Sequence, residues 1–172
     1  LRLDSAPVTV LLLLAVLAAV QLVHYHPLLP DTIAVHFGSD GEPNGWSAKT
    51  EFAIVYGVIE AFFVLFGIAF AVLLERIPHA FVNIPNREYW FSPERRAETL
   101  EFLRNKLLWI QVSTLAFLIV IAQLVFRENL GGSSPRLPGS FWYVLAAFVA
   151  VMVWLALTIV FRFIPKRGGA PS

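Results

Sequence analysis

Three histidines, His24, His26 and His36, share a short stretch with Asp31, Asp40 and Glu42. Imidazole nitrogens and carboxylate oxygens are zinc ligands, so zinc is the one cofactor this stretch suggests. His24 and His26 stand at i and i+2, which converge only on an extended chain, and Pro27 permits that. Without a helical His-Glu-x-x-His or a fixed third ligand, the pattern is weakly specific. Interfacial histidines bonding to backbone and headgroups would look the same. Ser39 and Ser47 lie near His36, but there is no nucleophile elbow or ordered triad. No glycine-rich phosphate loop is present. Catalysis therefore has little support, and a non-enzymatic protein without a bound cofactor is expected.

Glu60 is the second chemical oddity. It sits about 12 Å into an apolar run, at 1.5 Å per residue. A carboxylate at that depth costs at least ~2.5 kcal/mol, so Glu60 should face other helices or carry a proton. Tyr56, Glu60, Phe63 and Gly67 share one helix face. Gln111 and Gln123 lie inside a later run, and Gln123, with Gln21, matches the depth of Glu60. The set reads either as a proton or cation relay or as interhelical hydrogen bonds that hold a bundle together.

These residues need elements to hold them. The 172-residue chain is 58% hydrophobic and 15% charged, whereas soluble domains sit near 45–50% and about 25%. It has no cysteine, which removes disulfides and thiolate metal sites. A net charge of +1 suggests no nucleic-acid partner. Four runs are long enough to cross a bilayer, at residues 6–23, 52–74, 107–126 and 141–163. The first could be a signal peptide, but no small-residue cleavage site follows it, and it is read as a retained helix. The expected fold is all-α: a single domain made of a four-span bundle in contact with lipid.

Orientation follows from Lys and Arg. Arg2, six residues between Arg76 and Lys106, and Arg162, Lys166 and Arg167 fall on one side; only Lys49, Arg127 and Arg136 fall on the other. Both termini and the loop 75–106 should be cytoplasmic, and the loops 24–51 and 127–140 outside. Trp46 and Trp142 fall near the outer interface, Trp90 and Trp109 near the inner one. "GGSSPRLPG", residues 131–139, reads as a flexible turn and "RGGAPS" as a frayed tail.

The outer loop 24–51 is long for a mere connector and should be structured. In "TIAVHF", Ile33, Val35 and Phe37 alternate with Thr32, Ala34 and His36, as in a strand with one apolar face. "GSDGEPNG" is a turn, with Gly41 and Gly45 available for positive φ. Ser47 or Thr50 can cap the second span. On the inner side, Ser92 can cap a helix with Pro93 at its first position. Leu100, Leu103 and Leu107 then recur on one face, which predicts an interfacial amphipathic helix leading into the third span. Tyr89, Trp90 and Phe91 should enter the membrane surface. Ala15 with Ala19, and Ala146 with Ala150, are candidate close-packing pairs.

"LPDTIAVHFGSDGEPNGWSAK", residues 29–49, resembles the signature of the bacterial domain of unknown function 1648, found in SdpI-like membrane proteins. Leu29, Pro30, Asp31, Ile33, His36, Phe37, Gly41, Pro43, Trp46 and Lys49 match its pattern. Ala34, Gly38 and Asn44 depart from it. "NIPNREYWFSPERRAETLEFLRNKLLWI", residues 83–110, is similar to a second recurring segment. Together the two cover about 50 residues. The resemblance implies a multi-helix protein of the bacterial inner membrane. It also implies roles in immunity to a secreted toxin or in signalling through a membrane-held repressor, although this chain is shorter than the full immunity protein.

The function expected is recognition of a protein or peptide partner, or service as an accessory subunit of a larger membrane complex. Asp31, His36, Phe37, Trp46, Tyr89 and Trp90 are the candidate contacts. A proton- or ion-coupled transporter using Glu60 is the alternative, and a metal-dependent membrane enzyme comes third.

Overall fold

A computed structural model describes residues 6–76, 78, 81–132 and 134–164. Arg2, Lys166, Arg167 and the "RGGAPS" tail lie outside the described residues. Four long helices carry the fold: α1 (Ala6–Tyr25), α2 (Lys49–Leu73), α4 (Arg96–Leu130) and α5 (Ser140–Phe163). A short α3 (Arg87–Trp90) precedes α4. Strands β1 (Thr32–Phe37) and β2 (Pro43–Ala48) form an antiparallel hairpin between α1 and α2. Each long helix is long and apolar enough to cross a membrane. Helices suit that environment because they satisfy their backbone hydrogen bonds internally.

The helices α1, α2 and α4 pack on one another, whereas α5 packs mainly on α4. The main core is built from Leu11, Ala18, Tyr56, Val112, Leu115, Ile119, Ala122 and Phe126, and Leu29 and Ile33 from the hairpin region join it. Gly67 lets α2 approach closely, since a Cβ there would sit 3.2 Å from Gln111 and 3.3 Å from Leu11. The helix α5 buries only Leu155 and Phe163. It is stitched to α4 by Phe148 stacked on Phe117, with centroids 4.3 Å apart.

Several expectations change. The amphipathic segment and the third span are one 35-residue helix, α4, about 52 Å long. It begins at Arg96, because the chain makes a turn from Ser92 to Arg95 first; Ser92 is not its cap. Ala48, not Ser47 or Thr50, is the N-cap of α2, and it makes no side-chain cap bond. Ser47 instead reaches Glu51 at 3.1 Å. Trp90 is half-buried: its ring meets Phe163 edge-on, and it packs, with Phe91, on Leu74, Leu100 and Leu103. Ala146, Ala150 and Ala19 are exposed; the small residue buried in α1 is Ala18.

Candidate functional site

The hairpin and the helix ends beneath it form one assembly. Ile33 and Ala34 are fully buried, so β1 lies on the bundle rather than above it. Asn129, buried near the end of α4, accepts from the Ala34 N–H at 2.7 Å and donates to the Ala34 carbonyl at 2.9 Å. Its amide thus plays the part of a neighbouring strand along the near edge of β1. At the base, the Lys49 N–H donates to the Asp31 carbonyl at 3.0 Å. The Lys49 ammonium reaches the Asp31 carboxylate at 3.1 Å and donates to the Leu29 carbonyl at 3.1 Å.

The tip is held as well. The Leu137 N–H donates to the Gly41 carbonyl at 2.9 Å, and Arg136 pairs with Glu42 at 3.3 Å. The "GGSSPRLPG" connection, of which Ser133 lies outside the described residues, is therefore fastened to the hairpin. Gly41 has φ +82°, as the turn chemistry requires. Gly45 is needed for a different reason than expected: a Cβ there would lie 2.8 Å from the His36 Cβ. The two face each other at the bulged part of the ladder.

The predicted contact residues divide into two groups. Trp46 stands 54% exposed on β2. The Asp31 side chain is 98% exposed even with Lys49 beside it. His36 bonds to Asn44 across the hairpin, and Phe37 is half-buried. Tyr89, at the opposite end of the bundle, is exposed and carries the Arg95 guanidinium 4.1 Å over its ring. Trp90 is half-buried, with the Arg162 guanidinium 5.1 Å from its ring centre.

The structure does not assemble the histidines. His24 lies within α1 and His26 in the turn after it, so the extended geometry that would make them converge is absent. Among the described residues, no group of three or more His, Cys, Asp or Glu side chains is placed to share a metal ion.

A polar cluster runs through the apolar core. The Tyr56 hydroxyl donates to the Gln21 side-chain carbonyl at 2.9 Å. The Gln21 amide donates to Gln123 at 2.9 Å and to the Ile119 carbonyl at 3.1 Å. Gln123 donates to the Tyr25 hydroxyl at 2.6 Å. Glu60, one turn from Tyr56 and only 7% exposed, stands beside this chain, and among the described residues neither of its buried carboxyl oxygens has a hydrogen-bond partner. Tyr56, Glu60 and Gly67 do share the buried face of α2. Gln111 belongs to another level, against Gly67, with its carbonyl oxygen buried and without a partner among the described residues.

Sequence reasoning passed over Asn129 and counted Arg136 only toward charge. Asn129 sits in "RENL", three residues past the expected end of the third span, where an asparagine looks like loop. Its signal was that the helical pattern carries on to Gly131.

Four apolar spans with a polar hairpin at one end define a multi-pass membrane protein. The model of a domain of unknown function, DUF1648, matches residues 12–59, which take in the second half of α1, the hairpin and the start of α2. An uncharacterized protein of the archaeon Archaeoglobus fulgidus is 26% identical over 146 residues, covering 77% of this chain and 76% of that protein. No solved structure matches.

Proposed function

We propose that this is a non-enzymatic membrane protein of the SdpI-like class that recognises a protein or peptide partner through the hairpin, as an immunity or signalling protein or as an accessory subunit of a larger complex. The observation that carries this reading is the exposed Trp46 ring on a hairpin fastened at base, edge and tip. A large ring held rigid loses little conformational freedom on binding, and tryptophan is enriched at binding hot spots. The Lys and Arg bias supports a plasma membrane orientation with both termini cytoplasmic and the hairpin outside. The long apolar faces of α2 and α5 leave room for lipid or for further subunits.

The test is native purification in mild detergent with mass determination of everything that accompanies the chain. A copurifying polypeptide lost on Trp46→Ala supports hairpin recognition; a set of partners indifferent to Trp46→Ala counts against it.

A second reading rests on a specific observation. A buried carboxyl with both oxygens unpartnered is a place where a proton or cation can be taken up, and such residues mark ion pathways in membranes. In that reading Glu60→Gln abolishes ion-coupled uptake by reconstituted vesicles while the protein still folds. Uptake that survives Glu60→Gln removes this reading.

A further inference from the structure

The hairpin has two long edges, and they are in different states. In an antiparallel ladder, opposite residues either bond to each other through both backbone groups or turn both groups away. Ala34 faces Trp46. The Ala34 N–H and C=O are both taken by Asn129, so this is a pair that turns away. The Lys49 N–H bond to the Asp31 carbonyl fits the same phase, since those two positions lie three steps along the ladder. The Trp46 N–H and C=O therefore point to the far edge of β2, opposite Asn129. Among the backbone bonds outside helices and strands, none from a described residue reaches either group.

One edge is thus closed by a side-chain amide that imitates a strand, and the other presents the same donor–acceptor pair open beside an exposed indole. Unpaired strand edges are templates for another chain. The charge at this end also has a sign. Asp31, Asp40, Glu42, Glu51 and Glu128 outnumber Lys49, Arg127 and Arg136 across residues 24–51 and 127–140.

We infer that the far edge of β2 at Trp46 accepts an extended, cationic segment of a partner polypeptide by strand addition. The partner donates one N–H to the Trp46 carbonyl and accepts from the Trp46 N–H, and its side chains lie against the indole. This deepens the recognition reading and rests on it: the partner enters as a strand, not as a folded surface.

The experiment uses the full chain in lipid nanodiscs and a short capped peptide of alternating lysine and valine. Its counterpart is N-methylated at every backbone amide, so that neither edge can donate, with the same charge and side chains. The unmethylated peptide should bind and slow hydrogen exchange of the Trp46 amide. The methylated one should bind about tenfold more weakly, as the loss of backbone bonds requires. Equal binding of the two peptides overturns strand addition and leaves recognition by side chains standing. So does binding that leaves Trp46 exchange unchanged. If neither peptide binds, strand addition falls, and the copurification test with Trp46→Ala decides the recognition reading separately.

Discussion

Asn129 links the hairpin directly to the bundle, since its amide serves both backbone groups of Ala34 and also donates to the Val125 carbonyl at 2.8 Å. Asn129→Ala leaves a buried N–H and C=O unpaired, which should cost about 1–3 kcal/mol. Unfolding in detergent will read this, and hydrogen exchange should rise first at residues 33–35. Gly45→Ala places a methyl group where the His36 Cβ stands, and overpacking of that kind costs about 1–3 kcal/mol. It should disturb the His36–Asn44 contact and shift the ladder; unchanged hairpin amide exchange would refute the close approach. Asp31→Ala removes only an exposed ion pair, so its effect on stability should be under about 1 kcal/mol.

Among elements, α4 decides the architecture. It contacts α1, α2 and α5 and carries Asn129, the partner of β1, near its C-terminal end. Its length was legible only in pieces. Charged residues through Lys106 made its first part look like a separate interfacial helix, yet nothing between Arg96 and Leu130 interrupts helical hydrogen bonding: there is no proline or glycine in that range. The polar cluster joins α1, α2 and α4. Gln21→Leu removes its hub and strips partners from Tyr56 and Gln123. Membrane-embedded hydrogen bonds average about 0.6 kcal/mol, so the loss should be about 1–2 kcal/mol. A double variant with Gln123→Leu should cost less than the sum of the singles, because each single already leaves the other glutamine short of a partner.

For the whole molecule, the three cations Lys49, Arg127 and Arg136 gather at the hairpin end, and the other described Lys and Arg residues at the opposite end. This arrangement predicts sidedness. The absence of native cysteine makes single-cysteine labelling direct. Asp40→Cys should react with an impermeant maleimide in intact cells and Glu88→Cys only after permeabilisation. The reverse pattern would invert the topology and place the hairpin in the cytoplasm.

By itself the sequence determined the membrane class, the number of spans, the hairpin turn at Gly41 and the buried face of Tyr56, Glu60 and Gly67. Each is written in local composition or period: runs of apolar residues, glycine where φ must be positive, and polar residues at helical spacing. Tertiary structure alone decided that Asn129 closes one hairpin edge, that Arg136 and Leu137 fasten its tip, that Trp90 meets Phe163 and that His24 and His26 do not converge. Those outcomes depend on contacts between residues about 70 to 100 positions apart, or on where a helix stops. A helix that runs on through Tyr25 turns His24 away from His26 whatever the local pattern allows, because successive helical positions point about 100° apart.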